Sequence, residues 1–281
     1  MSPKTLQDLY HHGASVLCGN PQAALEAKVL LLRAAGVSEE IFFANPSCSV
    51  SARAEAFFLR LVDRRLAGAP ICYLTGTKEF WSIPLKVTPG VLVPRPETEI
   101  LVEKVLELST RGQETILDIG TGSGNIAIAL AKELPRAWIF AADVSERALK
   151  TARENALRQR VHHVHFVKSN LFSAFRRTGD RFDFVVSNPP YVARKDWEAL
   201  PPEIRDHEPR RALLAGESGL EVITRLVARA AVFLKPGGHL IFEIGDGQRE
   251  AVLGLFGRRW TEIETAWDLA GKPRVITARR T

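Results

Sequence analysis

Asn188-Pro189-Pro190-Tyr191 follows directly on the apolar run 182–186 in RFDFVVSNPPYV. A short run rich in Val and Phe that stops at a proline pair predicts a buried strand turning into a loop. The tetrapeptide then sits at a strand's carboxyl end, where open α/β sheets bind their ligands. Pro190 has no backbone donor and biases Pro189 away from helical geometry. The Pro189 carbonyl and the Asn188 side-chain oxygen become two neighbouring acceptors, a pair suited to an NH2 group. Tyr191 adds a flat wall, either for stacking on a planar amide or base or for shaping the pocket. The competing reading is a structural turn, since Asn-Pro often initiates turns.

A second motif weighs against that reading. Asp118-Ile119-Gly120-Thr121-Gly122-Ser123-Gly124 closes one apolar run and opens a helical one. Its spacing is G-x-G-x-G, not the G-x-G-x-x-G of dinucleotide binders. Glycines there let the backbone pass close to a ligand, and Asp143, at the end of the next apolar run, stands where a nucleotide ribose can reach an acid. Asp118 either contacts a ligand amino group or caps the loop.

The elements that must position these residues can be read from periodicity. Residues 1–75 read as a small helical bundle, with apolar stripes Leu6, Leu9, Gly13, Val16, Leu17, then Leu25, Val29, Leu32, then Phe57, Phe58, Leu61, Val62. Residues 76–93 read as a β-hairpin linker, with Phe80 and Trp81 packing between domains. Over 94–281 strands at 115–120, 138–144, 164–167, 182–187, 239–245, 262–267 and 275–280 alternate with helices at 125–133, 146–157 and 220–234. This is the pattern of an α/β domain with a mostly parallel seven-stranded sheet. The last two strands, separated by DLAGKP, should pair antiparallel, leaving the last strand antiparallel. The long loop 192–219, after the acceptor motif, is a candidate lid.

The totals exclude several classes. A chain of 281 residues with 46% hydrophobic and 25% charged residues has ample material for a core. No apolar run is long enough for a membrane helix and no leader is visible, so a cytoplasmic protein is expected. Cys18, Cys48 and Cys72 are scattered, and strand alternation sends His163 away from His162, so neither a disulfide framework nor a metal site is expected. The formal charge of +6 permits an acidic or nucleic-acid partner without demanding one.

Glycine loop, strand-end Asp143 and NPPY together resemble a class I S-adenosylmethionine-dependent methyltransferase, a Rossmann-like fold. The resemblance implies that Gly120, Thr121, Gly122, Ser123 and Gly124, with Asp118, lie under the methionine part of S-adenosyl-L-methionine and that Asp143 binds its ribose. It puts Asn170 and Leu171 beside the adenine, where this chain departs from the acid and aromatic often found, and Asn188 at the cofactor's reactive end. S-adenosyl-L-homocysteine would be the product.

The segments YLTGTKEFW, VLVPRPETE, NPPY, HEPRRALLAGESGL and DLAGKPRV then resemble the HemK/PrmC family. That likeness implies methylation of the glutamine side-chain amide in the Gly-Gly-Gln motif of class-1 peptide chain release factors. It implies Asn188, Pro189, Pro190 and Tyr191 as catalytic and substrate-binding residues, Arg95 and Glu97 beside them, and a bundle that recognises the release factor. A monomer needing no metal, membrane or nucleic acid follows. The alternatives are a glutamine methyltransferase for a ribosomal protein and a DNA or RNA amino-methyltransferase, the latter supported by a pI near 9.4.

Overall fold

The computed structural model describes residues 4–176 and 181–281, so the first three residues of the expected bundle lie outside them. The chain divides into two compact units, the first reaching Thr77 and including Pro202–His207, the second formed by Lys78–Pro201 and Glu208–Thr281.

The first unit is built from α1 (Leu6–Val16), α2 (Ala23–Ala35), α3 (Glu39–Ala44), α4 (Ala52–Leu66) and α5 (Ile71–Thr75). Thr5 starts α1 with a capping box: its hydroxyl accepts from the Asp8 amide and the Asp8 carboxylate accepts from the Thr5 amide. Gly13 lets α1 and α4 approach closely, since a Cβ there would meet Phe58 Cζ at 2.6 Å.

The buried face of α2 differs from the expected one. Ala27, Leu30 and Leu31 are buried, whereas Leu25 is 53% exposed. Ala23-Ala-Leu-Glu-Ala-Lys-Val-Leu-Leu-Leu is apolar on most sides, so periodicity does not select a face; a buried ion pair does. Arg65 donates from Nε and Nη2 to the two Glu26 carboxylate oxygens at 2.7 and 2.9 Å, and from Nη1 to Glu203 at 3.1 Å. Arg65 and Glu26 side chains are 12% and 7% exposed.

The second unit begins at Lys78, within the hairpin of β1 (Thr77–Phe80) and β2 (Ile83–Lys86), which is turned by Trp81 and Ser82 at φ 53° and 54°. Phe80 is buried in this unit's own core, with Ile83 and Leu85. The chain continues through α6 (Glu99–Leu108), β3 (Thr115–Ile119), α7 (Asn125–Glu133), β4 (Trp138–Asp143), α8 (Glu146–Arg158), β5 (Val164–Lys168) and β6 (Phe182–Ser187). After β7 (Val192–Ala193), α9 (Pro202–Arg205), α10 (Arg210–Leu213) and β8 (Leu214–Gly216) come α11 (Glu221–Ala230), β9 (Leu234–Glu243), α12 (Arg249–Leu253), β10 (Trp260–Trp267) and β11 (Pro273–Arg280).

One sheet takes seven strands in the order β10-β11-β9-β6-β3-β4-β5. The pairs among β5, β4, β3, β6 and β9 are parallel, and β11 runs antiparallel to both β9 and β10. The expected seven strands and reversed last strand are therefore present. β9 begins earlier than expected, at Leu234, because Gly237 (φ 76°) and the closely packed Gly238 let Lys235–Gly238 bulge against Asp183 while pairing resumes at His239. Helix α11 ends correspondingly sooner. Residues 192–219 are not a bare loop: β7 and β8 pair in parallel, and α9 belongs to the first unit. Among the described residues no helix is long and apolar enough to cross a membrane.

The Arg65–Glu26 pair yields a stability prediction. Arg65→Met leaves Glu26 buried without its cation and should cost about 3–5 kcal/mol. Glu203 is 39% exposed at its side chain, so Glu203→Gln should cost no more than about 1 kcal/mol. Chemical denaturation followed by circular dichroism measures both.

Candidate active site

The parallel register builds the site. Ile119 of β3 pairs with Ala142 of β4 and Ser187 of β6, and Ser187 pairs with Phe242 of β9. The next residue on each strand is Gly120, Asp143, Asn188 or Glu243, so four chain positions far apart in sequence emerge in one row at the carboxyl edge. The Ser187 hydroxyl donates to the Ile119 carbonyl at 2.7 Å and pins the two central ends together.

A cavity of about 730 Å³ opens above this row. Of the residues expected in the site, Arg95, Gly120, Thr121, Gly122, Ser123, Asp143, Asn170, Leu171, Asn188, Pro189 and Pro190 line it. Asp118, Gly124, Glu97 and Tyr191 are not among the lining residues. Asp118, Gly124 and Tyr191 have supporting contacts.

Gly120, Gly122 and Gly124 have φ of 77°, 56° and 83°, the left-handed conformation that side chains resist. A Cβ at Gly124 would lie 3.0 Å from Ala152 Cβ and from Ile128 Cδ1, so this glycine serves helix packing rather than the cavity. Asp143 braces the loop: its Oδ2 accepts the Gly122 amide at 2.9 Å and its Oδ1 the Ser145 amide at 2.8 Å. Burial raises its pKa, opposed by the amides of Ser145, Gly122 and Val144 and by the Arg211 charge.

Asp118 is fully buried and accepts the Thr121 hydroxyl at 2.6 Å, which supports the loop-cap alternative. Burial pushes its pKa up to about 7, the Thr121 bond opposing and the Asp143 charge adding to the rise.

Around NPPY, Asn188 Nδ2 donates to Thr98 Oγ1 at 2.9 Å, Thr98 Oγ1 donates to Glu243 Oε2 at 2.6 Å, and the Tyr191 hydroxyl donates to Glu243 Oε1 at 3.1 Å. Burial and then the neighbouring Glu243 charge push the Tyr191 phenol up. Burial raises Glu243 too, its hydrogen bonds from Thr98 and Tyr191 opposing. Glu208 accepts the Val93 amide at 3.2 Å and pairs with Arg95, which fixes the PRPETE segment beside the cavity. Thr98 and Arg211 fall inside the segments VLVPRPETE and HEPRRALLAGESGL, whereas Glu243 falls in no motif of the sequence. The one available signal for Glu243 was a lone acid inside the apolar run HLIFEIG.

These features, a mostly parallel sheet with a reversed last strand and a glycine loop, acid and NPPY at one carboxyl edge, define a class I methyltransferase. The fold matches a methyltransferase from Pyrococcus furiosus with TM-score 0.52 at 20% identity, covering 77% of this chain and 96% of that one. It also matches the hMettl16 catalytic domain with TM-score 0.54 at 17% identity, covering 70% and 75%. Residues 96–201 match the family model described as Methyltransferase small domain, and residues 8–76 the PrmC N-terminal domain. The chain is 41% identical over 265 residues to the release factor glutamine methyltransferase of Geobacter sulfurreducens, covering 93% of this chain and 91% of the relative. It is 37% identical over 276 residues to that of Salmonella typhimurium, covering 98% and 99%. The chain belongs to the release factor glutamine methyltransferase family.

Asp118 gives a pH prediction. A buried acid whose pKa rises from 3.8 to about 7 holds its proton more tightly when folded, so its contribution is complete below about pH 4 and is lost as pH rises towards 7. Asp118→Asn cannot titrate. Between these limits wild type should lose stability relative to the variant, on the order of 4 kcal/mol at 1.36 kcal/mol per unit. Denaturation curves that run parallel for the two proteins would contradict this.

Proposed function

We propose that this protein transfers a methyl group from S-adenosyl-L-methionine to the side-chain amide nitrogen of the glutamine in the Gly-Gly-Gln motif of class-1 release factors. The observation that carries the reading is the meeting of NPPY with the glycine loop and Asp143 at one cavity. A Cβ at Gly120 would lie 3.6 Å from the Asn188 carbonyl oxygen, so the donor and acceptor ends adjoin. The family membership and the match of residues 8–76 support the choice of acceptor.

The residues present fit the cofactor. The positive-φ loop leaves room where side chains would intrude, Asp143 offers a carboxylate to vicinal hydroxyls, and Asn170 and Leu171 supply an adjoining wall. When bound, S-adenosyl-L-methionine supplies an electrophilic sulfonium methyl. Asn188 Oδ1 and the Pro189 carbonyl accept the two amide hydrogens of the substrate glutamine. An amide nitrogen is a weak nucleophile because its lone pair is delocalised; holding both hydrogens favours pyramidalisation and aims the lone pair at the methyl. With the cofactor bound, that nitrogen would take its methyl and lose one proton to water, the thioether S-adenosyl-L-homocysteine leaving. Pro190 fixes the turn that presents Pro189, and Tyr191 shapes its outer wall.

In this reading residues 1–75 form the helical bundle that recognises the release factor, 76–93 the connecting hairpin and 94–281 the catalytic domain, with Arg95 and Glu97 flanking the substrate. In the same reading the protein acts as a monomer, and a substrate of translation termination implies a cytoplasmic location. Incubation with labelled S-adenosyl-L-methionine should label only the Gly-Gly-Gln glutamine of the release factor. Equal labelling of a factor with alanine there would overturn the reading. Asn188→Ala should lower kcat by about 10²–10³-fold, the size of losing one preorganised polar group, while calorimetry shows S-adenosyl-L-homocysteine affinity little changed.

A further inference from the structure

Glu243 is only 2% exposed, and the mechanism above leaves it without a task. It ends β9 in register with Asn188, and Thr98, 1% exposed in the 3-10 turn Pro96–Thr98, stands between the two side chains. A carboxylate only accepts hydrogen bonds, and a threonine hydroxyl has one proton to give. With 2.6 Å between Thr98 Oγ1 and Glu243 Oε2, that proton is directed at Glu243. Towards Asn188, 2.9 Å away, Thr98 then has only lone pairs to offer. The Asn188 carboxamide must therefore turn its NH2 to Thr98, which leaves Oδ1 for the cavity. Tyr191 is directed in the same way, because its single phenolic proton also goes to Glu243.

We propose that Glu243 is a positioning and specificity-determining residue: acting through Thr98, it holds Asn188 with Oδ1 facing the acceptor, so that the site takes an NH2 group and rejects a carboxylate in its place. This rests on the glutamine methyltransferase reading and deepens it. An amide at position 243 can donate to Thr98. The Thr98 proton is then free to point at Asn188 Oδ1, and the Asn188 carboxamide turns over. Its NH2 now faces the cavity, where it opposes the glutamine NH2 and welcomes a glutamate oxygen.

The test compares wild type, Glu243→Gln, Thr98→Val and Thr98→Ser. Each is assayed with full-length release factor as substrate and with the same factor carrying Gly-Gly-Glu as competitive inhibitor. Glu243→Gln should lose about 100-fold in kcat, with KM for the release factor changed by no more than about three-fold. Its preference for Gly-Gly-Gln over the Gly-Gly-Glu inhibitor should narrow by about ten-fold, one misdirected hydrogen bond. Thr98→Val should lose kcat to a similar degree, Thr98→Ser should keep it, and the Glu243→Gln, Thr98→Val double variant should be no worse than the poorer single one. Should Glu243→Gln fail to fold, the Thr98→Val and Thr98→Ser pair carries the same comparison. Wild-type kcat and preference retained in Glu243→Gln would overturn the proposal, and so would a lost kcat with the preference unchanged, which marks a merely structural role. Absence of methyl transfer by wild type would instead sink the functional reading.

Discussion

The register of the parallel sheet is the constraint on which the rest depends. Ile116, Val186 and Ile241 point into the cluster on one face of the sheet, while Leu117, Val185, Leu240 and Phe242 point into the cluster on the other. Since side chains alternate, a slip of one residue would exchange every one of these between two differently shaped cores. Packing on both faces therefore fixes which residue comes last on each strand. Gly120, Asp143, Asn188 and Glu243 meet in a row because hydrophobic burial below them permits no other alignment.

At that edge the helices and loops leave Glu208 and Glu243 buried and Asp143 partly so, and each receives donors matched to its surroundings. Asp143 takes two backbone amides, Glu208 an amide and the Arg95 guanidinium, and Glu243 two hydroxyls. Removing a single partner from such a group costs more than the bond is worth, because the buried acceptor cannot return to water. The donors are therefore held as firmly as the acids. Loop Gly120–Gly124 is tied to β4 through Asp143, PRPETE to residue 208, and NPPY to β9. Rigid loops on a rigid sheet give the preorganisation that orientation-based catalysis needs.

Much of this was legible in the sequence, for identifiable reasons. Six of the seven strands contain apolar runs bounded by glycine, proline or charge, and β10 (WTEIETAW) intersperses polar with apolar residues instead; both signals are local. Asp143 and Asn188 could be placed because a strand end is visible as the end of such a run. The inner face of α2 was not legible, because its stretch is apolar on most sides and the deciding interaction, Glu26 with Arg65, spans 39 positions. The pairing of Thr98 with Glu243 is hidden for the same reason at longer range: their hydrogen bond joins residues 145 apart, and nothing near either one announces it. Sequence pattern reports burial and chain direction well, but it reports the pairing of polar groups poorly, since that pairing is settled by the finished fold.

The same reasoning explains why the edge is divided between two sets of supports. The glycine loop is held by Asp143 and Asp118, carried on β4 and β3, and the acceptor motif by Thr98 and Glu243, carried on the turn before α6 and on β9. Each set is anchored to its own strand, and the strands are joined by backbone bonds that are indifferent to side-chain identity. A change in the acceptor network can therefore alter which amide is oriented without disturbing the loop. A site divided in this way can keep one methyl donor while the acceptor end is shaped to its substrate.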